Sequence, residues 1–136
     1  MTKADWDRLE EAAAMARENA HAPYSKYKVG AAIQVASGRI FAGCNVENAS
    51  YSLTLCAERS AIVQMVSVGE RDPIALVVIT EGPVAASPCG ACRQTLAEFA
   101  LDLPIELVSA TDKDARRRTT LAALLPDAFR AEALGK

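Results

Sequence analysis

The sequence predicts an α/β sandwich in which helices cover a sheet. Strand-like and helix-like segments alternate along the chain, the pattern of a layered α/β domain. The run "PIALVVIT" (73–80) is almost continuously apolar and is bounded by Asp72 and by Glu81-Gly82-Pro83, which marks a central strand buried on both faces. With 136 residues, 51% of them hydrophobic, the chain is long enough for one real core and too short for two ordinary ones, so a single domain over residues 1–136 is expected.

Trp6, Leu9, Ala13, Ala16 and Ala20 recur at three- and four-residue spacing, so residues 3–20 are expected to form an amphipathic helix packed through one face, with Trp6 as a core anchor. The stretch "HAPYSKY" breaks it, and the only histidine, His21, is expected at the helix end. "KVGAAIQVA" and "RIFAGCNV" are β-prone runs joined by Ser37-Gly38 and predict a hairpin with a tight turn. From Cys56 to Val68, Ala57, Ala61, Ile62, Met65 and Val66 fall on one helical stripe, and Gly69 stands where a C-terminal cap belongs. After the central strand, Pro88 suits a helix entrance, and Ala91, Leu96, Phe99 and Ala100 continue at helical spacing. Cys89 and Cys92 therefore fall in or just before a first helical turn. "PIELVSA" predicts a fourth strand, the triplet Arg116 to Arg118, following "TDKD" in a polar turn, a solvated edge, and "TTLAALLPDAF" a short helix stopped at Pro126.

Composition narrows the function. The first twenty residues carry acidic groups throughout, and no later segment approaches the ~18 unbroken apolar residues of a membrane span, so a soluble, cytoplasmic protein is expected. In a reducing compartment the four cysteines point to metal ligands, catalytic thiols or core filling rather than a disulfide frame; Cys44 reads as core filling. Net charge is −2 and "ARRR" is the only basic run, which is no electrostatic footprint for nucleic acid; a small or neutral partner is expected.

The chemistry concentrates in two short stretches. In "PCGACRQ" (88–94) two cysteines stand three residues apart, a spacing shared by redox pairs, zinc knuckles and structural sites. In "LCAERSA" (55–61) Cys56 and Glu58 open another helix after a β-to-α connection, so two helix starts can meet at one point. Three thiolates, Cys56, Cys89 and Cys92, leave one position of a tetrahedral zinc ion open, the arrangement of a catalytic site. A structural site completed by Cys44 is the alternative, and it leaves the Cys-x-Glu spacing unexplained. At an open position zinc lowers the pKa of water towards neutrality, and a neighbouring carboxylate that is not a ligand can carry the proton to a substrate. Glu58 is placed for that role. Zinc with three thiolates carries a net charge of about −1 and is a poor Lewis acid unless something withdraws charge. Two helix N-termini do so, as does Arg59, three residues after Cys56 on the same helix face, with Arg93 a weaker candidate.

Taken together, "CAER" (56–59), "PCGACRQ" (88–94), "PYSKYKVGAA" (23–32) and "GCNVENASY" (43–51) resemble the small, homotetrameric type of cytidine deaminase, and the likeness runs from about Pro23 to Phe129. The resemblance implies a three-layer α/β/α sandwich with a mixed central sheet of about five strands, and one Zn²⁺ per chain. It implies hydrolytic deamination of cytidine and deoxycytidine with release of ammonia, a reaction of pyrimidine salvage. Glu58 would protonate N3 of the base and then the departing amino group; Asn45 and Glu47 would bond the ribose 3′-hydroxyl, Tyr27 would pack beside the nucleoside, and the Ala57 backbone would touch the base. It also implies a homotetramer with shared active sites, completed by Tyr51 and Phe129 of neighbouring subunits, Phe129 covering the base. Tyr27 stands where the family usually has Phe, Ser52 where glycine is common, and Arg130 where glycine often follows "LLPDAF"; none of these removes a catalytic group. The rival readings are a deaminase of another aminopyrimidine nucleoside or nucleoside antibiotic, an editor of polynucleotides, which would need a basic channel, and a zinc-stabilised module without turnover.

Overall fold

The computed structural model describes residues 1–136. Five strands, β1 (Gly30–Val35), β2 (Ile40–Cys44), β3 (Pro73–Thr80), β4 (Pro104–Ser109) and β5 (Arg116–Thr120), form one sheet in the order β2-β1-β3-β4-β5. β3 and β4 are parallel and every other neighbouring pair is antiparallel, so the sheet is mixed, as the resemblance implies. Four helices flank it: α1 (Lys3–Glu18), α2 (Ala57–Ser67), α3 (Gly90–Ala97) and the single turn α4 (Leu121–Leu124). No helix is long and apolar enough to cross a membrane.

Successive side chains of a strand point to opposite faces, and both faces here are covered. On one side Leu9 and Ala13 of α1 pack on Ala32, Ala75, Val77 and Val108. On the other, Ala61 and Met65 of α2, Leu96 of α3 and Leu121 of α4 pack on Ile33, Leu76, Val78, Ile105 and Leu107. This is the three-layer sandwich, and it explains why β3 is apolar from Pro73 to Ile79. Each fully buried leucine or methionine contributes about 1.5–3 kcal/mol.

Local chemistry sets the ends of the elements. Thr2 and Asp5 form a capping box at the start of α1, with the Asp5 N–H donating to Thr2 Oγ1 at 3.1 Å and the Thr2 N–H to the Asp5 carboxylate at 2.8 Å. The helix stops at Glu18, short of Ala20, because the next residues form a backbone bridge between His21 and Val46. The Ser37-Gly38 hairpin and the Gly69 cap are as expected, each glycine at a positive φ, 94° and 91°. α3 ends at Ala97, before Phe99 and Ala100, which pack on the core from the following turn.

Arg116 to Arg118 form a solvated edge as expected, but as part of the edge strand β5 rather than of a turn. Glu106 of β4 is only 8% exposed and sits directly opposite Arg118 in register. It bonds Arg116 Nε at 3.1 Å and also Arg118, while Arg116 reaches Glu10 of α1 at 2.8 Å. A buried carboxylate thus recruits a run with no apolar alternation into the sheet. Trp6 is half-buried, beneath the Arg118 guanidinium at 3.8 Å, and anchors the rim of the core rather than its centre.

Two glycines fix how closely the helices approach. A Cβ at Gly30 would lie 2.1 Å from the Ala13 carbonyl of α1, and one at Gly43 would lie 2.6 Å from Ser60 Cβ and 2.9 Å from the Ala57 carbonyl of α2. Gly43 therefore sets the height of the start of α2 above the sheet, and with it the positions of Cys56 and Glu58.

Candidate metal centre and active site

Cys56 and Cys89 occupy the N-cap positions of α2 and α3, each in an extended conformation with ψ 155° and 166°, and Cys92 lies in the first turn of α3. N-cap positions favour side-chain oxygens that accept from the helix N–H groups. Neither cysteine makes such a bond, and the sulfurs turn towards one another instead. All three Sγ atoms lie within 4.8 Å of each other, with Cys56 and Cys89 3.9 Å apart. Thiolates around a tetrahedral zinc, with Zn–S near 2.3 Å, sit roughly 3.8 Å apart, so the spacing and the donor chemistry fit that ion. Cys44 is half-buried at the end of β2, lines a separate groove with Val46 and Val63, and supplies no fourth ligand.

The surroundings of the cluster favour a thiolate at Cys56. The Cys56 thiol is lowered to about 5, first by its hydrogen bond with Cys92 and also by Arg59, whose Nη2 lies 3.5 Å from the sulfur. The same bond with Cys56, together with burial, pushes Cys92 up. Arg59 also donates to the Thr54 carbonyl at 3.4 Å. Arg93 is a different case. It donates to the carbonyls of Pro88 and Leu124, both at 2.7 Å, and to the Ser87 hydroxyl at 2.9 Å, so it ties α4 to the cysteine loop and faces no sulfur. Glu58 is 4% exposed, and burial raises its carboxyl to about 6, with the nearby Cys56 charge adding to the effect.

Cys56, Ala57, Glu58 and Cys89 form one wall of a cavity of about 450 Å³. Val78 and Thr80, at the carboxyl end of β3, close its base, the place where open α/β sheets hold ligands. Tyr27, Asn45 and Glu47 line the opposite side. The Asn45 amide accepts from the Val29 N–H at 2.9 Å and donates to the Tyr27 carbonyl at 2.8 Å. The Glu47 carboxylate accepts from the N–H groups of Tyr24 and Ser25 at 3.0 and 3.1 Å.

Residues 4–104 match the family model described as the cytidine and deoxycytidylate deaminase zinc-binding region. The chain belongs to this deaminase family. It is 49% identical over 133 residues to the cytidine deaminase of Sporosarcina psychrophila, covering 96% of this chain and 95% of that protein. Among solved structures, cytidine deaminase from Burkholderia pseudomallei superposes with a TM-score of 0.87 at 45% identity, covering 95% of this chain and all of that one. The Mycobacterium tuberculosis enzyme superposes at 0.77 with 41% identity, covering 92% and 97%. Zinc is the family's metal, and the three-cysteine cluster is the place in this deaminase that can hold one ion.

Two expected residues do not join the cavity of their own chain. Tyr51 is 74% exposed and lies against Tyr24 in a tilted arrangement, ring centres 5.8 Å apart. Phe129 is 59% exposed and lies over α3, its carbonyl accepting from Gln94 Nε2 at 2.8 Å. Conversely, Ser25, Thr54, Ala86 and Ser87 line the cavity of this deaminase without having been assigned from sequence. Only Ser25 carried a signal there, its place inside "PYSKY"; the others arrive from loops whose course follows the packing.

Proposed function

We propose that the chain, acting as one domain over residues 1–136, hydrolytically deaminates cytidine and deoxycytidine to uridine and deoxyuridine with release of ammonia. The observation that carries this reading is the buried Glu58 beside three clustered cysteines on the wall of a cavity large enough for a nucleoside. Cys56, Cys89 and Cys92 are the residues to hold zinc. Zinc bound there supplies the Lewis acidity that makes water a nucleophile near neutral pH.

Glu58 takes a proton from that water and delivers it to N3 of the base as the new C4–O bond forms. A second proton from the same water passes through Glu58 to the exocyclic amino group, the C4–N bond breaks, and ammonia leaves. A carboxyl held at about 6 is suited to both accepting and returning a proton near neutrality. Arg59 offsets the thiolate charge at Cys56, 3.5 Å away. Asn45 and Glu47 hold the 3′-hydroxyl, Tyr27 packs beside the nucleoside, and the Ala57 backbone meets the base.

The assembly we propose is a homotetramer with shared sites. Support comes from Tyr51 and Phe129, two aromatics that are largely exposed in one chain and do not line its own cavity, Tyr51 bordering an adjoining groove with Ser25, Glu47 and Thr54. The cytoplasm suits the three thiols, which a reducing compartment keeps available for metal. A zinc module without turnover leaves the buried Glu58 unexplained. The test is direct: cytidine absorbance should fall on mixing, with one ammonia released per uridine formed, and a zinc-loaded protein that leaves cytidine unchanged overturns the reading.

A further inference from the structure

We infer that Ser25 is a positioning residue for sugar recognition: its hydroxyl, with the backbone N–H groups of Tyr24 and Ser25, orients the Glu47 carboxylate so that one acceptor position is left for the ribose 3′-hydroxyl. The inference rests on the nucleoside deaminase reading above and deepens it.

The chain from Ala22 to Tyr27 is wound around the carboxylate. Glu47 Oε1 accepts from Tyr24 N–H at 3.0 Å and Ser25 N–H at 3.1 Å, and the Ser25 hydroxyl donates to Oε2. The Ser25 oxygen also accepts from the Tyr27 N–H at 3.0 Å, so one hydroxyl links Glu47 to the backbone of an aromatic that lines the cavity. Lys26 completes the turn at φ 62°, a left-handed conformation unfavourable for a lysine, with its N–H bonded to the Ala22 carbonyl at 3.0 Å. The local strain is offset where it brings three donors onto one carboxylate. From the other side the Glu47 N–H donates to the His21 carbonyl at 2.8 Å, so backbone and side chain are both held.

A carboxylate offers about four lone-pair positions. Three are occupied by donors of the chain, two on Oε1 and one on Oε2, and the remaining one is on the oxygen that Ser25 controls. Asn45 is oriented in the same way: its oxygen accepts from the Val29 N–H and one of its own N–H groups donates to the Tyr27 carbonyl, which leaves the other N–H to donate. One free acceptor on Glu47 and one free donor on Asn45 match a single hydroxyl, which both donates and accepts. The Ser25 hydroxyl is also the foremost cause that holds the Glu47 carboxyl below its ordinary value.

The test uses the full-length, zinc-loaded protein and two substrates, cytidine and 3′-deoxycytidine, which lacks the hydroxyl in question. Ser25→Ala should lower kcat/KM for cytidine about tenfold, mainly through KM, the size of one lost hydrogen bond to a charged group. For 3′-deoxycytidine the variant should stay within about twofold of wild type, since there is no hydroxyl to place. Ser25→Thr, which keeps the hydroxyl, should restore the cytidine rate, and Ser25→Ala should add nothing in a Glu47→Gln background. Equal losses on both substrates, or an unchanged kcat/KM for cytidine, overturn the role of Ser25. Zinc content and melting temperature are read alongside; if Ser25→Ala loses its fold, Ser25→Cys, of similar size and a weaker donor, carries the same comparison. A wild-type protein without cytidine turnover overturns the deaminase reading itself.

Discussion

At Glu58, burial and chemistry act in the same direction: a carboxyl that is 4% exposed, beside the clustered thiols, is costly to keep charged and is therefore ready to take a proton. Glu58→Gln should retain fold and zinc yet lose kcat by about three orders of magnitude, since the amide cannot move protons; near-normal turnover with one zinc per chain would contradict the assignment. Arg59→Ala should cost less than that and should show as weaker zinc retention against a chelator, because Cys56 loses its cationic neighbour. Two acids, Asp5 in the first turn of α1 and Glu47 in the cavity lining, contribute to behaviour at low pH. Asp5 and Glu47 are both held below their ordinary values, 3.8 and 4.5, chiefly by hydrogen bonds from Thr2 and Ser25 respectively. Folded-state values below the unfolded ones mean that their contribution is complete above those values and is lost as the pH falls through the folded ones. Urea midpoints should therefore drop below about pH 4.5, and Glu47→Gln should flatten part of that drop.

At the scale of elements, the site depends on how α2 and α3 begin. Gly43→Ala would place a methyl 2.7 Å from the Ala61 backbone nitrogen, so α2 must lift from the sheet. The expected cost is about 1–3 kcal/mol in denaturant unfolding, with zinc occupancy and kcat falling together because α2 carries Cys56 and Glu58. Gly38→Ala, with open space around the hairpin turn, should cost about 1 kcal/mol and leave zinc binding unchanged. A lasting kcat defect in Gly38→Ala, or none in Gly43→Ala, would break the link between helix height and the site. β5 teaches a different lesson. Glu106→Ala should destabilise the chain by about 1–2 kcal/mol, limited because Arg116 and Arg118 are roughly half exposed and screened by solvent.

The whole molecule raises the matter of assembly. Phe129 hangs from the last segment of the chain, 59% exposed, and Gln94 of the cysteine-bearing helix α3 holds its backbone. If neighbouring subunits complete the cavity, Phe129→Ala should raise KM with zinc retained, and activity should disappear on dilution below the assembly constant. Light scattering alongside the assay decides it: a monomer that still turns over cytidine would contradict shared sites and leave the cysteine cluster untouched.

What the sequence by itself determined is what local physics encodes. The apolar period marks α1 and α2, the almost continuously apolar "PIALVVIT" marks β3, and Cys56 and Cys89 before helical stripes place both thiols at helix starts, because capping and amphipathic spacing act within a few residues. β5 was not legible, because its place in the sheet comes from a buried partner, Glu106, ten residues before Arg116, and not from any pattern in "RRRTT". The same holds for Arg93, which looks like a neighbour of the thiolates in sequence but is drawn to the carbonyl of Leu124, thirty-one residues on. Only the tertiary structure decided which of two nearby arginines faces sulfur and that Ser25 meets Glu47 across twenty-two residues. Those pairings depend on packing geometry in three dimensions, and the spacing of residue types along a chain does not contain it.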